Sequence, residues 1–166
     1  MKTVYLRQLQ EKDAPLMLEW MHDKSVVCHL SANFGEKTID DCRRFITWAN
    51  ETDADLHLAV ADADDTYMGT VSLKHLDRAA GTAEFAITVR ACAMGKGFSR
   101  FGMDSILKKG ITEEKLTAIY WCVSPENARA VRFYDKNGYT RTDTVPAAIL
   151  AAYPADMKLI WYVYTG

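Results

Sequence analysis

The sequence predicts an α/β fold with an antiparallel beginning, a central parallel β-loop-α-β-α core and an antiparallel end. Three observations predict it. Leu56, Leu58 and Val60 alternate, turn at Asp62-Ala-Asp-Asp65, and return as Tyr67–Leu73, the pattern of an antiparallel hairpin. The strand-like run Glu84–Val89 leads through Gly95-Lys96-Gly97 into the helix-like run Arg100–Leu107 and then the apolar run Leu116–Val123. Two strands joined by a helix run parallel. After Gly138, Tyr139–Thr144 and Asp156–Tyr164 read as closing strands.

Size and composition bound the rest. The 166 residues fit a single domain, 1–166, with length for a real core. Apolar residues at 49% and charged residues at 25% are those of an ordinary globular protein. A net charge of −2 speaks against a broad nucleic-acid or acidic-membrane surface. No apolar run reaches the ~20 residues of a membrane span, and Met1–Leu6 has no apolar signal core, so a cytoplasmic chain is expected. Cys28, Cys42, Cys92 and Cys122 are widely spaced and read as reduced thiols. His22, His29, His57 and His75 lack metal-ligand spacing, so no metal is expected.

Thr3–Leu9 alternates as a first strand. Asp13 can cap a helix with Pro15 in its first turn and Met17, Trp20 and Met21 on its core face. Asp23–Lys37 is irregular, a loop over a pocket or a surface connection. Thr38-Ile-Asp-Asp41 resembles a capping box, and Cys42, Phe45, Ile46 and Ala49 mark a second amphipathic helix. Arg78–Gly81 is a turn. On the strand Thr82–Val89, Phe85, Ile87 and Val89 make a core face. Glu84, Ala86 and Thr88 place a carboxylate on a small-residue surface suited to a ligand groove. Phe98, Phe101, Gly102 and Ile106 share one face of the next helix, which should end near Gly110. Ser124 or Asn127 then caps a helix with Val131 and Tyr134 on one face, ended by Gly138.

The loop Arg90–Ser99 is the chemical focus. It joins a strand end to a helix start, where unsatisfied N–H groups and the helix dipole attract an anion. Gly95 and Gly97 let the backbone approach a phosphate, and Lys96 adds a charge. A P-loop is excluded because Arg90 stands where its first glycine would be and Gly97 where its Ser or Thr would be. A dinucleotide fingerprint is excluded because Arg100 occupies its third glycine.

The loop resembles the pyrophosphate loop of the GNAT superfamily of acyl-CoA N-acyltransferases, Gln/Arg-x-x-Gly-x-Gly/Ala, over Met94, Gly95, Lys96, Gly97, Phe98 and Ser99. Gly97 matches; Met94 and Ser99 depart from the pattern. Asn127-Ala-Arg-Ala-Val-Arg-Phe-Tyr134-Asp-Lys-Asn-Gly138-Tyr139 resembles the closing signature of the same family. The likeness is strongest over Val71–Arg141. The start, Leu6–Ala14 with Leu18–Asp23, looks like the subgroup acting on ribosomal-protein N-termini, and equally like relatives acting on amino sugars or antibiotics.

The resemblance implies a mostly antiparallel twisted sheet with helices on both faces and one parallel strand pair splayed to hold CoA. It implies acetyl-CoA as cosubstrate and an N-acetyltransferase acting on a small primary amine, such as an amino sugar, or on a protein N-terminus; the alternative is a non-catalytic CoA-binding module. Pantetheine would pair with the strand backbone at Ile87 and Val89, and the Val89 N–H would receive the oxyanion. Tyr134 matches the tyrosine that protonates the leaving thiolate. Glu84 stands where several members keep a catalytic glutamate; an ion pair with Arg78 or Lys74 is the competing role. Cys122 occupies the later-strand position where ribosomal-type relatives carry their glutamate. Ordered water is a further route for the proton, while His22, His57 and His75 read as surface or core. Asn127 can bond the pantetheine arm or cap its helix, and Arg129 and Arg132 can reach CoA phosphates or solvent. Pro146–Tyr153 is apolar and fits the acceptor side or a contact in a possible homodimer.

Overall fold

A computed structural model describes residues 3–28, 30 and 33–166. Met1, Lys2, His29, Ser31 and Ala32 lie outside the described residues, and with them the reading of His29 and part of that of Asp23–Lys37. The strands are β1 (Tyr5–Gln8), β2 (Leu56–Ala61), β3 (Tyr67–Asp77), β4 (Thr82–Val89), β5 (Ala118–Val123), β6 (Thr140–Thr142) and β7 (Ile160–Tyr164). The helices are α1 (Ala14–Met21), α2 (Lys24–Val27), α3 (Ile39–Glu51), α4 (Phe98–Thr112), α5 (Ala128–Lys136) and α6 (Ala147–Leu150).

The strands form one sheet in the order β1-β2-β3-β4-β5-β7-β6. Every neighbouring pair is antiparallel except β4 and β5, the two strands joined through α4. Alternation sorts the side chains onto two faces. On one face Val60, Val71, Leu73, Phe85, Ile119, Trp121 and Tyr162 meet Met103, Ile106 and Leu107 of α4 and Tyr134 of α5. Gly102 lets α4 approach, since a Cβ there would lie 2.8 Å from Val60 Cγ2 and 2.9 Å from Val71 Cγ1. On the other face Met17, Trp20 and Met21 of α1 and Cys42, Ile46 and Ala49 of α3 cover Ala59 and Tyr67.

The local signals are realised with four differences. The capping box forms, with Thr38 N–H donating to Asp41 Oδ2 (2.8 Å) and Asp41 N–H to Thr38 Oγ1 (3.3 Å). Asp13, expected to cap α1, makes no side-chain cap to it. Its carboxylate, itself buried, accepts instead from the Gln10 N–H (2.8 Å) and from Arg7 (2.8 and 2.9 Å), because the charged guanidinium is the stronger partner. Second, the stretch after Asp23 is not wholly irregular: the Asp23 side chain accepts from Ser25 N–H and starts α2. Third, the last two strands are shorter than expected, Thr140–Thr142 and Ile160–Tyr164, and the segment between them holds the short helix α6. Fourth, α4 runs past Gly110 to Thr112. Among the described residues no helix is long and apolar enough to cross a membrane.

Candidate active site

The site begins where the sheet stops being continuous. β4 and β5 pair as Thr82↔Ala118, Ala83↔Ile119 and Glu84↔Tyr120. No pairing follows, although β4 runs on to Val89 and β5 to Val123. β4 stays paired to β3 throughout, up to Gly69↔Val89. The Arg90 N–H donates to Met68 O on the β3 side (2.8 Å). Because backbone groups alternate along a strand, those of Ile87 and Val89 face the opposite way, into the opening. The parallel pair therefore presents an unpaired backbone edge just beyond Glu84.

The glycine loop stands at the end of that edge. Gly95 has φ +74° and Gly97, the N-cap of α4, has φ +89°. A side chain would strain both positions, at about 1–2 kcal/mol each. Among the described residues the N–H groups of Gly95, Lys96, Gly97, Phe98 and Ser99 make no well-aligned hydrogen bond. Lys96 is exposed, Phe98 is buried in the core and Ser99 is half-buried. Arg129 of α5 lies over the loop, with Nη1 3.7 Å from Met94 Sδ. Met94 thus seats the arginine beside the free amides, and the pair forms a cationic cradle. Arg132 is exposed on the same helix. Asn127 caps α5, accepting from the Ala130 N–H at 3.2 Å. At the loop's first residue, Arg90 donates to Glu19 of α1 from Nε and Nη2 (3.1 and 3.0 Å).

Tyr134 and Glu84 reach the opening from opposite faces of the sheet. Tyr134 packs at 5.0 Å from the Tyr162 ring and 5.6 Å from that of Trp121. Its hydroxyl makes no hydrogen bond among the described residues. Burial raises its pKa above the ordinary tyrosine value, with Tyr162 and Cys122 adding to the shift, so the hydroxyl holds its proton at neutral pH. Glu84 lies on the other face and is 2% exposed, more buried than a groove surface requires. Its Oε2 accepts a hydrogen bond from Tyr153, and its Oε1 has no hydrogen-bond partner among the described residues. Lys74 Nζ is 3.9 Å and His75 Nε2 3.6 Å from Oε1. Arg78, the other expected partner, pairs with Glu114 instead (3.0 Å). Burial pushes the Cys122 thiol up to about 11, leaving it protonated and a poor nucleophile at neutral pH. His57, also buried, bonds Ser72 (2.6 Å) and Asp55 (3.1 Å). Among the described residues no group of three or more His, Cys, Asp or Glu is placed to hold a metal.

Tyr153 is the principal residue that the sequence did not mark. It lies 69 residues from Glu84 in the chain, and the apolar segment Pro146–Tyr153 carries no motif that ties its last residue to a carboxylate.

Comparison with known proteins agrees with this architecture. Residues 3–140 match the family described as Acetyltransferase (GNAT) domain. The chain belongs to the GNAT family. The match ends before α6 and β7, so Tyr153 lies outside the part of the chain that it covers. Among curated GNAT relatives, the spermidine N(1)-acetyltransferase of Vibrio cholerae is 33% identical over 86 residues, 52% of this chain. That match spans 50% of the relative's own length. The GNAT fold is shared with solved structures of spermidine N-acetyltransferase from the same organism. One, a complex with CoA and spermine, superposes with a TM-score of 0.81 at 20% identity, covering 98% of this chain and 95% of the other. Another, a dodecameric form, gives a TM-score of 0.74 at 22% identity, with 98% and 93% covered.

Proposed function

We propose that this GNAT protein, acting as a single domain over 1–166, is an acetyl-CoA-dependent N-acetyltransferase whose acceptor is a small primary amine. The observation that carries the reading is the interruption of the parallel pair at Glu84↔Tyr120, with a carboxylate on one side of the gap and a protonated phenol on the other. Acyl transfer from a thioester to an amine needs a proton taken from the nitrogen and one given to the sulfur, and two groups flanking the gap can serve both.

The residues divide the work as follows. The amides of Gly95–Ser99, with Lys96, Arg129 and Arg132, would hold the pyrophosphate and neighbouring phosphate charge. The backbone edge at Ile87 and Val89 would align the pantetheine arm, with Asn127 beside it. Val89 N–H would face the carbonyl oxygen as charge develops there, a donor contributing roughly 3–4 kcal/mol in other acyl transfers. Glu84 would take a proton from the incoming ammonium, and Tyr134 would give one to the departing sulfur. Acetyl-CoA supplies the activated acyl group.

Spermidine is the first acceptor to test, because the curated relative and the solved structures act on or bind polyamines. The Pro146–Tyr153 segment would line the acceptor side, a reading supported by the hydrogen bond from Tyr153 to Glu84. The expected pairing of copies extends, on the example of the dodecameric relative, to a higher assembly.

The test is release of free CoA thiol from acetyl-CoA across spermidine, spermine, amino sugars and short peptides, with the product identified by mass. Thiol release with a small amine is expected. CoA binding without release across the whole panel would replace this reading with a non-catalytic CoA-binding module. Absence of CoA binding would remove both.

A further inference from the structure

β3 carries one extra residue opposite the catalytic candidate. Lys74 pairs with Glu84 and Asp77 with Thr82, so His75 and Leu76 stand against the single residue Ala83. In an unbroken strand His75 would point to the face opposite Lys74 and Glu84. The bulge turns it back. His75 has φ +54°, a left-handed backbone that non-glycine residues rarely adopt. The conformation is held by a hydrogen bond from the His75 N–H to Asp55 Oδ1 (3.0 Å) and one from the Leu76 N–H to Ala54 O (2.9 Å).

The result of this strain is an aimed imidazole. His75 Nε2 lies 3.6 Å from Glu84 Oε1, the buried oxygen without a hydrogen-bond partner. The imidazole side chain is 49% exposed, while Glu84 is 2% exposed. One end of the pair is therefore sealed and the other is in solvent. The charged and titratable groups around it are Lys74 on β3, Asp55 before β2, Tyr120 and Cys122 on β5, and Tyr153 after α6. Lys74 is farther from Oε1 than His75, and Asp55 engages the backbone of His75 rather than its ring.

We propose that His75 is the proton outlet of Glu84. The inference rests on the N-acetyltransferase reading. The overall reaction converts an ammonium and a thioester into an amide, a thiol and one proton. The first proton leaves the ammonium nitrogen for Glu84, passes from Oε1 to His75 Nε2, and departs to water from the exposed ring. The free amine then forms the N–C bond as the C–S bond breaks. The second nitrogen proton leaves by the same route, and Tyr134, having given its proton to sulfur, takes one back from water, so that one proton is released per turnover. Without an outlet, a carboxylate this buried would have to wait for water to reach it between turnovers.

The test uses two substitutions that the left-handed backbone accepts, His75→Asn and His75→Gly. Each should lower kcat about tenfold, less than the roughly hundredfold or more expected for losing a direct general base. KM for the amine and CoA affinity should stay within about twofold. Added imidazole should restore the rate of the glycine variant in a concentration-dependent way, which a purely structural role would not allow. Should the glycine variant fail to fold, the Asn variant serves instead: its rate should rise with the concentration of a small diffusible buffer base. Unchanged kcat in the variants, or a loss that neither imidazole nor buffer restores, would overturn the inference alone. Absence of turnover by the unaltered chain would overturn the proposed function, and the inference with it.

Discussion

The two sides of the gap in the sheet are built from different materials. On the α5 side Tyr134 stands among the rings of Trp121, Tyr139 and Tyr162, with no charged side chain bonded to its hydroxyl. On the α6 side Glu84 stands among Tyr153, Lys74, His75 and Cys122. Both groups are nearly sealed from solvent, yet burial serves them differently. For a phenol it only keeps the proton in place, so the group stays in the protonated form that the proposed acid role requires. A buried carboxylate requires polar neighbours, which the α6 side supplies. An acid can be made by apolar packing alone; a base at the same depth needs a network.

That contrast can be tested from the strongest effect downward. Replacing Glu84 by Gln should lower kcat about 10²–10³-fold while leaving CoA affinity within about twofold, by kinetics and calorimetry. Tyr134→Phe should cost about 10²-fold in kcat at unchanged CoA affinity; an equal loss of both would remove the acid role. Gly97→Ala should act on the other observable, weakening CoA binding about tenfold through the strain at φ +89°. Tyr153→Phe should lower kcat by a few-fold, as a single hydrogen bond of about 1 kcal/mol is lost to Glu84. The smallest effect is in stability. Tyr67 and Tyr134 both have raised pKa values because they are buried. The unfolded chain loses these protons near pH 10 while the folded chain keeps them. The contribution is therefore complete below about pH 10 and declines as pH rises beyond it. Melting scans should show this decline, less steeply in Tyr134→Phe.

The aromatic side was legible in the sequence and the polar side only in part. Gly95 and Gly97 betray their loop because only glycine adopts those angles without strain, and the Asn127–Tyr139 run writes helix cap, ring pair and helix end in consecutive residues. Glu84 could be placed on its strand face by alternation. Its partners could not. Tyr153 arrives from a distant segment, and Lys74 reaches Glu84 through a register that the sequence does not state. His75 was the least visible of all. Histidine carries no marker for a positive φ, and the extra residue in β3 appears only when the opposing strand is counted against it.

The seam between β4 and β5 has a mechanical side as well. Among the described residues five strand junctions in this sheet are antiparallel, and the one parallel junction is held by three residue pairs, as few as hold the edge strand β6 and fewer than any other interior junction. A sheet bends most readily along its thinnest interior seam, so the halves β1–β4 and β5–β7 meet at the natural crease. A rigid extended molecule laid along β4 acts as a splint across that crease. Slower amide exchange in Ile87–Val89 and in β5 on ligand addition would be its signature.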